Sequence, residues 1–265
     1  NIACQCRWAG DTRTVAESRD VLGRAARPPD REWRYGPDRD EVADVYLPAQ
    51  DGAGPVVVLV HGGFWRPEYD RAHLRPMAAA LADAGHPVLL PEYDRHPGHP
   101  DAGLADLRAA VERLAGSGLP AERGVALVGH SAGGHHVLVL ASEHVPGLRG
   151  VLALAPVADL RAAEHLELDE GAVIDYLGTS ARHRPDLDPV AASGPQVPVF
   201  LLHGADDSLV PLEQSRAYAR AHGAPLAVLE GTAHFEPIDP LSGAWPAVLG
   251  ELARIPPIDA PAGIE

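Results

Sequence analysis

Short apolar runs alternate with alanine-rich amphipathic stretches from about residue 41 onward. The runs are apolar at consecutive positions and rich in valine and leucine, which is typical of strands buried on both faces of a parallel sheet. They predict strands at Val42–Leu47, Val56–Val60, Val88–Leu90, Val125–Val128, Val151–Leu154, Val199–Leu202 and Leu226–Leu229. The stretches between them predict helices at about Arg71–Ala84, Gly103–Ala115, Gly133–Ser142, Leu212–His222 and Trp245–Arg254. This alternation predicts the α/β class, with a mostly parallel central sheet and helices on both faces.

Two segments interrupt the alternation. Residues 1–40 are rich in charge and proline, and they predict a leader onto the fold with one helix around Val15–Arg24 and then a loop. The segment Leu160–Pro198 is mixed in charge and lies between two predicted core strands. Connections of this length often form a lid or a substrate-facing insertion. Since 265 residues are enough for one substantial core, we expect a single domain over residues 1–265 that includes both segments.

The charge pattern narrows the classes of partner. The net charge is −15, and all 22 positive charges are scattered arginines, which argues against binding to nucleic acid or to an anionic membrane. No apolar run is long enough to span a bilayer, and the N-terminal residues lack the apolar stretch of a signal peptide. We therefore expect a cytoplasmic protein that acts on a small molecule. The sequence leaves open whether it forms a homodimer.

The two cysteines, Cys4 and Cys6, are separated by one residue. A disulfide across that spacing would be strained, and no further metal-ligating residues lie nearby in the sequence. We therefore expect a free pair of thiols and no metal site.

A nucleophile motif lies between a predicted strand and a predicted helix. Residues Val125–Gly134 read VALVGHSAGG, in which Gly129 to Gly133 fit G-x-S-x-G. A serine on such a tight turn leaves no room for side chains two positions to either side, which is why the motif needs its glycines. The bare pattern is weakly specific, and a serine at a glycine-rich helix N-terminus is the alternative. The flanking strand and helix favour Ser131 as a nucleophile.

A serine hydroxyl needs a base to remove its proton and an acid to orient that base. Two later strands end in suitable turns, FLLHGADDSLVP at Phe200–Pro211 and LEGTAHFEP at Leu229–Pro237. The order Ser, Asp, His, with each residue just after a strand, is the order of the α/β-hydrolase arrangement. The spacing H-G-x-x-D-x-x-V-P favours Asp207 over Asp206 as the acid. Position alone distinguishes His234 as the base among 14 histidines.

The segment VHGGFWRPEYD, residues Val60–Asp70, begins at the end of a predicted strand. Acyl transfer places negative charge on the carbonyl oxygen, and backbone N–H groups stabilise that charge. We expect one donor to be the N–H of Ala132 and the other to come from Gly62 or Gly63, where no Cβ blocks the approach of substrate. The alternative is a glycine turn that simply leaves the strand. A phosphate-binding loop is a poorer explanation, because the segment lacks the G-x-x-x-x-G-K spacing and the chain contains no lysine.

These motifs resemble the α/β-hydrolase superfamily, in the branch that contains hormone-sensitive-lipase-like carboxylesterases and kynurenine formamidases. The resemblance extends from about Tyr35 to about His234. The lipase-like esterases typically read HGGG, whereas kynurenine formamidases typically read HGG followed by an aromatic residue and Trp, so HGGFW resembles the formamidases. The segment EYDRHPGHPDAGLADL, residues Glu92–Leu107, also resembles the esterases, although Asp94 stands where arginine is common.

The resemblance implies an α/β-hydrolase fold that needs no cofactor and hydrolyses N-formyl-L-kynurenine to L-kynurenine and formate. Phe64 or Trp65 beside the oxyanion loop would narrow the acyl side of the pocket, unless both pack beneath the insertion. His130 is expected in the substrate pocket, and Arg66 either pairs with a substrate carboxylate or is solvated. Two other functions stay open: a carboxylesterase for short acyl esters, and a catalytically inactive hydrolase fold that acts as a receptor or binding module.

Overall fold

An eight-stranded sheet forms the centre of the computed structural model, which describes residues 18–50 and 52–257. Its strands are β1 (Arg31–Arg34), β2 (Val42–Tyr46), β3 (Val56–Val60), β4 (Val88–Pro91), β5 (Val125–His130), β6 (Leu148–Leu154), β7 (Val199–Gly204) and β8 (Leu226–Leu229). The strand order is β1-β2-β4-β3-β5-β6-β7-β8. Only β2 runs antiparallel to its neighbours, so the predicted mostly parallel sheet is confirmed.

Helices cover both faces of this sheet. They are α1 (Arg75–Asp83), α2 (Pro100–Glu112), α3 (Ala132–Ala141), α4 (Leu160–His165), α5 (Leu168–Leu177), α6 (Glu213–His222) and α7 (Trp245–Leu252). In the part of the chain that the structure describes, no helix is both long and apolar enough to cross a bilayer.

The strands are apolar at consecutive positions because their alternate side chains enter two separate cores. Val56, Val58 and Val60 pack into the core that contains α2 and α3. Val57 and Leu59 point the other way, into the core of α1 and α7. The helices on both faces therefore follow from the valine-rich strands, and the α/β class is confirmed.

The leader differs from its prediction. Residues 31–34, expected in a loop, form β1 at the edge of the sheet, paired antiparallel with β2. Most of this strand is exposed and its sequence, REWR, is polar, so no apolar alternation marks it. Of the helix predicted around Val15–Arg24, the described part contains only a 3₁₀ turn at Asp20–Gly23. Cys4 and Cys6 lie outside the described residues.

The predicted insertion, residues 160–198, carries α4 and α5 and contacts the loop that follows β3. The Trp65 ring stacks on Tyr176 of α5, with centroids 4.4 Å apart and planes at 12°. The Arg66 guanidinium donates to the carboxylates of Asp169, at 3.0 Å, and Asp175, at 2.5 Å. One stacked ring and one guanidinium thus tie the insertion to the β3 loop.

Arg66→Ala is expected to release the insertion locally while the sheet stays folded. The three side chains of the tether are partly exposed, so its removal changes the global unfolding free energy by about 1 kcal/mol or less. Amide hydrogen exchange over residues 160–177 should accelerate by about tenfold. The matched control is Arg220→Ala, because Arg220 pairs with Glu213 inside α6 and ties no second segment. Equal exchange in wild type and Arg66→Ala would show that the contact does not hold the insertion.

Candidate active site

Ser131 occupies a one-residue turn between β5 and α3 at the carboxyl end of the sheet. Its φ of 57° and ψ of −118° are strained for a residue with a side chain. Its N–H donates to the carbonyl of Leu154 at 2.9 Å, which anchors the turn to the neighbouring strand. At Gly133 an added Cβ would lie 2.2 Å from the carbonyl oxygen of Val60. The glycine of the motif is therefore required by the close approach of α3 to β3.

Asp207 and His234 follow β7 and β8 and form a hydrogen bond. The Nδ1–H of His234 donates to Oδ2 of Asp207 at 2.7 Å, and both side chains are buried. The other carboxylate oxygen accepts the backbone N–H groups of Leu209, at 2.9 Å, and Val210, at 2.8 Å. Of the two adjacent aspartates, Asp207 is the one that pairs with His234.

A second histidine, which the sequence reasoning passed over, also contacts this carboxylate. Nε2 of His203 lies 3.2 Å from Oδ2 of Asp207, and its Nδ1 lies 2.7 Å from the Ser215 hydroxyl oxygen. Burial opposes the charge on Asp207, but the hydrogen bonds from His203 and His234 outweigh it and hold the pKa of Asp207 well below its usual range. An ionised Asp207 fixes His234 with its Nδ1–H toward the carboxylate.

Ser131 and His234 line one cavity of about 470 Å³. Phe64, Tyr69 and Phe235 add aromatic surface to its wall, and the Phe235 ring lies edge-on to His234 at 5.0 Å between centroids. Within residues 18–50 and 52–257, no three His, Cys, Asp or Glu side chains converge in a way that would hold a metal ion. Ser131 and His234 bring a hydroxyl and an imidazole to the wall of this cavity.

The loop after β3 lies directly against the nucleophile turn. A Cβ added at Gly62 would lie 2.8 Å from the carbonyl oxygen of His130 and 2.9 Å from the Cβ of Ser131. Gly63 has a φ of 112° and lines the cavity. Ala132 is the first residue of α3, and the first N–H groups of a helix have no partner within the helix. Gly63 therefore lines the cavity and Gly62 packs against the Ser131 turn, while the role of Gly62, Gly63 and Ala132 as oxyanion donors stays a prediction.

Buried polar groups hold this loop in place. Nδ1 of His61 lies 2.8 Å from the carbonyl oxygen of Gly62, and its Nε2 lies 2.7 Å from Oε1 of Glu92. The Tyr93 hydroxyl donates to the His61 carbonyl at 2.9 Å, and its ring stacks on the His61 ring. Arg95 donates to the same Glu92 carboxylate. The loop thus rests on residues that follow β4, the neighbouring strand.

Glu92 is ionised in this arrangement. Burial opposes its charge, but the hydrogen bond and charge of His61 and the charge of Arg95 lower its pKa to about 2. In the sequence, Glu92 is marked only by its place at the start of the esterase-like segment Glu92–Leu107. A glutamate immediately after a buried strand was the available signal, since such a carboxylate needs a partner.

The four expected pocket residues separate into two pairs. Phe64 and His130 line the cavity, and Nε2–H of His130 donates to the His234 carbonyl at 2.9 Å. Burial and the nearby His234 charge lower the pKa of His130, which favours the neutral ring. The expectation for Trp65 and Arg66 is corrected: both side chains contact the insertion instead. Left-handed φ angles at Phe64 (48°) and Trp65 (57°) turn the chain sharply there, so neighbouring side chains diverge.

Known proteins with similar sequences include hydrolases. The prolyl oligopeptidase family model matches residues 96–223, slightly less than half of the chain. Esterase LipQ of Mycobacterium tuberculosis is 27% identical over 215 residues, which are 71% of this chain and 51% of LipQ. The chain therefore spans about half the length of LipQ. The kynurenine formamidase of Drosophila melanogaster is 24% identical over 229 residues, which are 78% of this chain and 74% of that protein.

Solved structures agree on the fold. Esterase B from Lactobacillus rhamnosis superimposes with a TM-score of 0.68 at 21% identity, over 87% of this chain and 86% of that one. The strand order, the strained serine turn after β5 and these matches together show an α/β-hydrolase fold in a chain that is similar to esterases and to a kynurenine formamidase.

Proposed function

We propose that the chain is a serine hydrolase that cleaves N-formyl-L-kynurenine to L-kynurenine and formate. The observation that carries this proposal is the buried hydrogen bond between Asp207 and His234, with Ser131 on the wall of the cavity that His234 also lines. An acid, an imidazole and a strained serine around one cavity are the parts that acyl transfer requires.

The proposed reaction has two halves. Oγ of Ser131 attacks the formyl carbon while Nε2 of His234 takes the hydroxyl proton, and Asp207 stabilises the resulting imidazolium. The oxyanion accepts hydrogen bonds from the N–H groups of Ala132 and of Gly62 or Gly63. His234 then gives its proton to the departing aryl amine, which leaves a formyl ester on Ser131.

Water completes the cycle. His234 removes a proton from the water, which attacks the formyl ester, and then returns that proton to Oγ of Ser131. The products are formate, free enzyme and L-kynurenine. No metal or organic cofactor enters any step.

The proposed preference for a formyl group rests on Phe64, the residue that follows Gly62 and Gly63. Phe64 stands where the lipase-like esterases carry a third glycine, and its side chain lines the cavity. A bulky ring beside the oxyanion donors leaves room for a small acyl group only. The similarity to the Drosophila melanogaster protein, named a kynurenine formamidase, supports the same preference.

A carboxylesterase for short acyl esters is the second candidate, because the similarity to LipQ and Esterase B favours ester substrates. The same serine, histidine and aspartate would perform that reaction. Comparison of kcat/KM for N-formyl-L-kynurenine and for p-nitrophenyl acetate distinguishes the two candidates. We expect the formamide to be preferred; a negligible rate on it beside rapid ester hydrolysis would assign the chain to the esterases.

Ser131→Ala is expected to lower kcat by about six orders of magnitude, because no hydroxyl remains to form the formyl ester. Thermal unfolding checks that the fold survives. Ser142→Ala is the matched control, since Ser142 lies just beyond the other end of α3. Full turnover by Ser131→Ala, or failure of a fluorophosphonate probe to label Ser131 in wild type, would refute the serine mechanism.

Glu92→Gln tests the support of the oxyanion loop through stability. The pKa of Glu92 is about 2 in the folded chain, against an ordinary value of 4.5. A lowered pKa contributes stability that is complete above pH 4.5 and is lost as the pH falls toward 2. The variant should lose about 3 kcal/mol of unfolding free energy at pH 7, and the deficit should shrink toward pH 2. Urea unfolding across this pH range measures it.

The same variant should lower kcat by about tenfold to a hundredfold, since His61 and the loop beside it lose their anchor. Glu122→Gln serves as the control, because Glu122 is exposed and distant from the loop in sequence. If Glu92→Gln and Glu122→Gln have the same stability at pH 7 and the same kcat, the buried carboxylate does not support the oxyanion loop.

A further inference from the structure

The charged side chains around the cavity differ in whether they already have partners. They are Arg19, Arg24, Glu68, Asp70 and Asp169. Arg24 pairs with Asp239 at 2.7 Å, Asp169 pairs with Arg66, and Asp70 accepts the N–H of Ala72 at 2.8 Å. Within the residues that the structure describes, Arg19 and Glu68 form no ion pair and no side-chain hydrogen bond. One positive and one negative charge therefore remain available to a ligand.

Arg19 lies on the side of the cavity where the leaving group departs. Its guanidinium carbon is 5.7 Å from the centre of the Phe235 ring, and that ring lies edge-on to His234 at 5.0 Å. His234 must face the leaving group, because it gives that group its proton. A guanidinium held by cation–π attraction beside this histidine is placed to bind a carboxylate on the leaving group.

Glu68 also lines the cavity, and it lies on the chain segment that continues from Gly62 and Gly63. Its neighbour Tyr69 packs against Gly63 so closely that a Cβ there would lie 2.5 Å from the Cβ of Tyr69. Phe64, Tyr69 and Phe235 supply aromatic surface in the same cavity as the two charges. An aryl ring bound among these side chains would have an unpaired cation and an unpaired anion near its exposed end.

We propose that Arg19 and Glu68 bind the α-carboxylate and the α-ammonium of an amino acid carried by the aryl leaving group. The proposal rests on the proposed formamidase function for the identity of that leaving group. It adds the chemical class that the cavity selects: a zwitterionic aryl amine in preference to a neutral or simply cationic one. Carboxylate recognition is thereby assigned to Arg19, whereas Arg66 is occupied by Asp169 and Asp175.

Three ligands that share one aryl ketone separate the two contacts. L-kynurenine carries both charges, kynuramine keeps the ammonium but lacks the carboxylate, and 2-aminoacetophenone lacks both. Calorimetric titration of the full wild-type chain should give dissociation constants that rise by about three- to tenfold at each step, as expected for charge pairs near the surface. Binding of all three ligands with equal affinity, or of none, would overturn the proposal.

Two variants test which residue binds the α-carboxylate and which binds the α-ammonium. Arg19→Gln should abolish the discrimination between L-kynurenine and kynuramine, and Glu68→Gln should abolish that between kynuramine and 2-aminoacetophenone. Arg39→Gln is the matched control, an exposed arginine that does not line this cavity. Affinity ratios in Arg19→Gln and Glu68→Gln that match those of Arg39→Gln would also overturn the proposal.

These titrations do not depend on turnover. A chain that discriminates the three ligands but does not hydrolyse N-formyl-L-kynurenine would refute the proposed function and keep the assigned contacts. A chain that hydrolyses the formamide without discriminating the ligands would keep the proposed function and refute the assigned contacts of Arg19 and Glu68.

Discussion

Ser131 is held in a left-handed conformation by the close approach of three segments: the end of β3, the loop after it, and the start of α3. Such a conformation costs about 1–3 kcal/mol, and it persists only where the surroundings leave no relaxed alternative. Here the packing of Gly133 on Val60 and of Gly62 on Ser131 removes those alternatives. The same contacts bring the Ser131 turn, the start of α3 and the glycines of the β3 loop together. Packing between backbone segments, and not the placement of flexible side chains, therefore sets the geometry around Ser131.

Two buried carboxylates, Asp207 and Glu92, hold further parts of the site in place through hydrogen bonds. Asp207 accepts from His234 and Glu92 accepts from His61, and in each case the carboxylate remains ionised against burial because several donors surround it. One pair orients the imidazole in the cavity, and the other fixes the loop that faces it. A buried charge without such donors would be strongly unfavourable, so each pair constrains the positions of the strands that carry it.

The sequence was sufficient to predict the α/β class, the bounds of the buried strands to within a few residues, and the order of serine, aspartate and histidine. These features are local: apolar runs mark buried strands, and turn residues mark strand ends. Other features depend on contacts between segments remote in sequence. The polar strand β1 forms because β2 offers an unpaired edge. His203 lies beside the Asp207 carboxylate only because the fold brings the two side chains together. The side chains of Phe64 and Trp65 diverge because of two positive φ angles that no residue pattern encodes.

The contacts of Trp65 and Arg66 with α5 couple the insertion to the loop that follows β3. Phe64 lines the cavity, while the side chains of the next two residues contact α5. Trp65 and Arg66 therefore link α5 to Phe64 on the cavity wall. Substitutions in the insertion can shift Phe64 through this connection while Ser131, Asp207 and His234 keep their positions at the carboxyl ends of their strands, so that the cavity wall can change without a change in these three residues.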